Sequence, residues 1–105
     1  DWPQIAALYG ELVRFEPSPV VIANQAVAVA MAQGPSAGLA MLDRLAEDGR
    51  LDRWPQLHVA RAELLSRLGR CAAARDAYQA ALEAAELPAA ERAFITRRLA
   101  QLAPT

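Results

Sequence analysis

Lysine is absent from this chain, cysteine and histidine occur once each, and aromatic residues make up only 6% of it. Each shortage excludes something. The lone cysteine, Cys71, forms no internal disulfide and no cysteine-based metal site, so a reduced, cytoplasmic setting is expected. The lone histidine, His58, has no serine, cysteine or paired carboxylate at a spacing that would complete a catalytic constellation. The glycines stand singly, so no glycine-rich loop cradles a phosphate. No enzymatic activity, cofactor or metal is therefore expected. Eleven basic residues, all arginine, face twelve acidic ones, for a net charge of −1. That balance supplies no basic face for phosphates, and direct nucleic-acid contact is not expected. The longest apolar stretch, Val20 to Ala32, is broken by Asn24 and Gln25 and falls short of the roughly 20 residues a membrane span needs. No signal peptide is visible either, and no membrane contact is expected.

What the chain does have is alanine, 25 of its 105 residues, within a hydrophobic fraction of 54%. That fraction rules out a disordered tail. Alanine is the best helix former, and its small side chain lets helix backbones approach closely. A core of alanine and leucine with few rings belongs to packed helices, not to a sandwich or barrel. An all-α fold is expected.

Punctuation divides the chain into six segments of helical length. Asp1-Trp2-Pro3 reads as an N-cap followed by proline in the first turn. Ile5, Leu8, Tyr9 and Leu12 then mark one apolar face. Pro17-Ser18-Pro19 stops that helix. A second helix is predicted from about Val20 to Gln33, ending at Gly34. Pro35-Ser36 opens a third, which closes near Asp48-Gly49. Trp54-Pro55 begins a fourth that ends at Gly69. A fifth runs from Cys71 to about Glu86, and a sixth from Pro88 to about Leu102.

These helices repeat. Gly34 and Gly69 each end one helix and open the turn into its partner, 35 residues apart. A period near 34 with two helices per unit is the tetratricopeptide signature. The clearest unit runs from Leu57 to Glu86, with Ala62 and Leu65 on its first helix, Gly69 at the turn, and Ala74, Tyr78, Ala81 and Leu82 on its second. Ala62, Ala74 and Ala81 are expected where neighbouring helices touch, and Tyr78 where one unit meets the next. The unit before it has Ala26, Ala30, Gly34 and Leu42 at matching places but reads as one residue short after the turn. The expected organisation is a single tetratricopeptide-like domain, a right-handed solenoid of antiparallel helix pairs. It comprises a half repeat over 1–18, repeats over 19–53 and 54–88, and a closing helix over 89–105. A stack that opens on half a repeat is expected to continue upstream in a longer protein.

Several strings are more specific than the repeat itself. Trp2-Pro3, Pro17-Ser18-Pro19-Val20-Val21, the run from Asn24 through Ala26-Val27-Ala28-Val29-Ala30, and Glu91-Arg92-Ala93-Phe94 together resemble one family. It is the C-terminal tetratricopeptide-like extension of bacterial extracytoplasmic-function sigma factors, and the likeness covers nearly the whole chain. Leu68-Gly69-Arg70 and Tyr78 with Ala81-Leu82 fit as well, but occur in any tetratricopeptide protein. Gln25 departs from the pattern, which has arginine after the asparagine. The resemblance implies a regulatory domain that modulates transcription initiation by protein contacts. The partners it implies are the parent's own sigma domains, RNA polymerase or a separate regulator. The alternative is an adaptor from another protein, gripping a peptide in a concave groove. End-to-end self-association of a truncated stack is a third reading.

In a tetratricopeptide stack the first helix of each pair lines the groove. Projection places Val21, Asn24, Ala28 and Met31 there from the second helix, Gln56, Val59, Glu63 and Arg67 from the fourth, and Arg97 and Gln101 from the sixth. This set lacks the basic and asparagine cluster that holds a C-terminal carboxylate. Asn24 is either a groove contact or a buried amide bonded to a helix end. Arg61 is expected to reach a carboxylate on an adjacent helix, and His58 to be packed or capping. Trp2 and Trp54 read as hydrophobic staples at helix starts. Cys71 stands near a helix N-terminus as an incidental small residue.

Overall fold

A computed structural model describes residues 1–102 of the chain. Among them are six α-helices and no strand: α1 Trp2–Phe15, α2 Pro19–Gln33, α3 Pro35–Asp48, α4 Pro55–Arg67, α5 Cys71–Ala84 and α6 Ala89–Gln101. The chain groups into two compact units, 1–51 and 52–105.

Local chemistry explains the boundaries. Helices α1 to α4 each carry proline in the first turn, where its missing N–H has no intrahelical partner to lose. Ser18 does more than end the preceding segment: its Oγ accepts a hydrogen bond from the Val21 N–H at 3.1 Å and caps α2, which therefore starts at Pro19. Asp1 caps α1 by position, its carbonyl accepting from the Ile5 N–H, without a side-chain bond. The α4 terminus closes with paired backbone bonds, Arg70 N–H to the Leu65 carbonyl at 2.9 Å and Gly69 N–H to the Ser66 carbonyl at 3.0 Å. That geometry needs a left-handed residue, and Gly69 supplies it at φ 76°. Helix α5 stops two residues earlier than its apolar pattern suggests, because Ala85 is already extended at φ −164° on the approach to Pro88.

In the first unit α2 packs against both α1 and α3. Its buried residues are all alanine (Ala23, Ala26, Ala28 and Ala30), while α3 contributes Leu39, Leu42 and Leu45. Gly38 is buried at the α2–α3 crossing. A Cβ there would lie 2.5 Å from the Ala26 carbonyl oxygen and 2.5 Å from the Ala30 Cβ, so glycine sets how closely the two helices approach. The second unit reverses the sizes. Helix α4 supplies Leu57, Leu64 and Leu65, and α5 supplies Ala74, Ala77 and Ala81 together with Tyr78. Helix α6 closes this unit through Ile95, its one buried residue.

The helix pairs correspond more closely than the glycines suggest. Pro19 and Pro55 begin α2 and α4, and Pro35 and Cys71 begin α3 and α5, each pair 36 residues apart. At that spacing Ala26 matches Ala62, Gly38 matches Ala74, Leu42 matches Tyr78 and Leu45 matches Ala81, and all eight are buried. The expected one-residue deletion is therefore not one. Gly34 and Gly69 occupy different places. Gly34, at φ 108°, is the single residue between α2 and α3, whereas Gly69 sits inside a three-residue link. Helix α2 is two residues longer than α4 and makes up the difference.

The tryptophan expectation is also corrected. A staple requires the residue before the N-cap, but Trp54 is itself the N-cap of α4 and Trp2 lies inside α1, 43% exposed.

Candidate functional site

The ten candidate groove residues fall in both units. On α2, Val20, Asn24, Val27 and Met31 recur at four- and three-residue spacing and form one exposed stripe. Asn24 is exposed, so the buried-amide reading is overturned: a solvated amide needs no helix end to satisfy it. Met31 is 39% exposed and Val21 half-buried. Ala28 does not line a groove. It is 2% exposed, one turn from Gln25 and Ala32, which face α1. The projection missed Val20 and Val27 because it placed the open face of α2 about a seventh of a turn (~50°) away from where α1 and α3 leave it.

Between α1 and α2 lies an open cleft of about 410 Å³. Small residues of α1 (Pro3, Ala6, Ala7 and Gly10) form one wall, and Gln25, Val29, Ala32 and Gln33 of α2 form the other. No charged side chain lines it. Gln25, where the resemblance leads one to expect arginine, presents its amide to the open side of Gly10, 3.6 Å from where a Cβ would stand.

On α4, Gln56, Val59, Glu63 and Arg67 share one face. Gln56 and Arg67 are exposed, and Val59 and Glu63 half-buried. On α6, Arg97 and Gln101 are exposed. Glu63 and Gln101 are already engaged. The Tyr78 hydroxyl donates to Glu63 Oε1 at 2.6 Å, and Arg98 donates from one nitrogen to Glu63 Oε2 at 3.0 Å and from Nε to the Tyr78 oxygen at 3.1 Å. A third Arg98 nitrogen donates to Gln101 Oε1 at 2.9 Å. Glu63 is thus the centre of a clamp joining α4, α5 and α6, not a free groove carboxylate.

Burial explains why the clamp exists. Tyr78 is fully buried, and its phenol must find a partner in a core otherwise made of apolar side chains. Desolvation, with the Glu63 carboxylate accepting the phenol proton's hydrogen bond, pushes the Tyr78 pKa up to about 12, with Arg98 opposing. The Arg98 pKa is raised as well, first through its bond to Tyr78. Sequence reasoning read Tyr78 only as a space-filler and did not single out Arg98. The legible signal was a phenol at a core position, which demands a polar neighbour.

His58 Nε2 donates to the Asp52 carbonyl at 2.8 Å and ties α4 to the turn before it, while Nδ1 is buried without a partner. Arg61 is half-buried. Cys71 is exposed at the first position of α5. Among the described residues no three His, Cys, Asp or Glu side chains are grouped to hold a metal, and no helix is long and apolar enough to cross a membrane.

An uncharacterized protein of Rhizobium meliloti (strain 1021) is 45% identical over 103 residues, covering 98% of this chain and 24% of that relative. The chain therefore spans about a quarter of its relative's length. No protein-family model and no solved structure matches the chain.

Proposed function

We propose that the chain is a tetratricopeptide-like protein-interaction module, the C-terminal regulatory extension of an extracytoplasmic-function sigma factor acting in the cytoplasm. The observation that carries the repeat part is the 36-residue correspondence of the helix pairs, in which starts, crossings and buried positions agree. A repeated hairpin of this kind buries its inner faces and leaves one face of each first helix open, the usual geometry for holding another protein. The sigma-factor part rests on the sequence resemblance, and a relative four times the length of the matched stretch leaves room for promoter-reading domains. In this reading the module acts by contact with the parent's sigma domains, RNA polymerase or a regulator, and performs no chemistry.

The adaptor reading draws on the α2 stripe. A polar Asn24 among the exposed Val20, Val27 and Met31 is the mixture that holds an amphipathic peptide by apolar contact and orients it by one amide.

The deciding experiment is promoter-dependent transcription by the natural parent with and without these residues. A change in transcription by a folded deletion variant supports the regulatory reading, and substitutions at Asn24 and Arg67 should then reproduce part of it. Unchanged transcription, or a parent with no sigma domains, removes that reading and favours the adaptor.

A further inference from the structure

Helix α6 is held more lightly than the two helices it packs on. Helix α4 buries Pro55, Leu57, Ala62, Leu64 and Leu65, and α5 buries four residues, but α6 buries Ile95 alone. Arg98, Leu99 and Leu102 line up with Ile95 and are half-buried, and every other residue of α6 is exposed. Its polar tie is equally open. Arg98 and Glu63 are each 31% exposed, so water and salt weaken their attraction.

The cost of releasing α6 depends on which groups lose a partner. The Tyr78 hydroxyl donates to Glu63 Oε1 at 2.6 Å, and both residues belong to the α4–α5 hairpin. Without α6 the phenol proton keeps its acceptor and Glu63 keeps a donor; only the donation from Arg98 to the phenol oxygen is lost. Arg98 retains Gln101 of its own helix at 2.9 Å. No buried donor of the clamp is left unsatisfied, which spares the largest penalty for breaking such a contact. Residues 85–88, which join α5 to α6, are irregular. Ala85 is extended at φ −164° and ψ 167°, and Pro88 follows at φ −55° and ψ 150°. A short non-helical link of this kind can absorb the change in backbone angles that a swinging helix demands.

We infer that α6 is a releasable strap. It leaves the α4–α5 hairpin as a unit while that hairpin stays folded, and in leaving bares Glu63 and the polar edge of Tyr78. A free helix of 13 residues is marginal in water, so α6 unravels once released. The Glu63 carboxylate is closed off in one state and open to a competing contact in the other. This needs neither the sigma-factor nor the repeat reading.

Native-state hydrogen exchange, followed by NMR over urea concentrations below the unfolding transition, tests it on the 105-residue chain. Amides from Phe94 to Gln101 should exchange at least about a hundredfold faster than the slowest amides of α4 and α5. Their urea dependence should also be much shallower, because one helix exposes far less surface than the whole unit. Arg98→Ala should speed α6 exchange about fivefold, and Glu63→Gln, which keeps a partner for the phenol, should act in the same direction by less. Added salt should speed α6 exchange in the unsubstituted chain and leave it unchanged in Arg98→Ala. Exchange of α6 on the same urea dependence as α4 and α5 overturns the inference, since the helix then opens only with the whole unit. So does an α6 rate indifferent to both Arg98→Ala and Ile95→Ala, the mark of simple fraying.

Discussion

Arg98 of α6 and Glu63 of α4 lie 35 residues apart in sequence and meet at 3.0 Å, with the Tyr78 hydroxyl between them. This contact holds the last helix, which otherwise buries only Ile95. An ion pair whose partners are each 31% exposed contributes little by itself, so its importance lies in what it satisfies: a buried phenol that would otherwise be orphaned.

Tyr78→Ala removes both the ring and the bridge. It should destabilise the protein by about 3–5 kcal/mol through the cavity left among α4, α5 and α6. Tyr78→Phe keeps the ring and leaves Glu63 paired with Arg98, so about 1–2 kcal/mol is expected. Urea unfolding followed by circular dichroism measures both. A loss below about 1 kcal/mol for the alanine variant would place Tyr78 outside the core and break the register.

Alkaline unfolding gives an independent reading. The Tyr78 pKa is raised from 10.0 to about 12, so above pH 10 the unfolded chain releases its phenolic proton while the folded chain keeps it. The stabilising contribution is therefore fully present below pH 10 and is lost as pH rises from there to about 12. The loss should approach about 2–3 kcal/mol. Tyr78→Phe should flatten this part of the pH–stability curve. An unchanged slope in that variant would show that the buried phenol does not govern alkaline stability.

Gly38→Ala sets two effects against each other. Alanine gains about 1 kcal/mol of helix propensity, but its methyl would meet the Ala26 carbonyl and Ala30 at distances real contacts do not reach. The crossing should win, with a net destabilisation of about 1–2 kcal/mol and a lower melting temperature. A stabilised variant would mean that α3 can move off α2 freely.

Ser18→Ala deletes the only side-chain N-cap bond found among the six described helices. A loss of about 1 kcal/mol is expected, while Ser18→Gly should lose only a few tenths. No measurable loss for Ser18→Ala would show that the Oγ bond does not stabilise α2.

All six helices and their order were legible in the sequence, because proline, glycine and serine act within a few residues of where they stand. Helix starts at Pro35 and Cys71 were read to the residue, and Gly69 stands in the turn expected of it. The burial of Ala62, Ala74, Ala81 and Leu42 also followed from their places in the repeat. Tertiary packing decided the rest. Gly34 and Gly69 look equivalent as letters, yet only the helix lengths around them reveal a 36-residue correspondence. Ala28 is buried while Asn24 stays exposed, since which side of α2 stays open depends on where α1 and α3 press against it. Glu63 looked like a solvated groove carboxylate until α5 and α6 brought Tyr78 and Arg98 to it. Caps and turns are short-range and can be read from neighbours in the chain. Burial of a particular face, and the pairing of a carboxylate with an arginine 35 residues away, exist only once separate helices have packed.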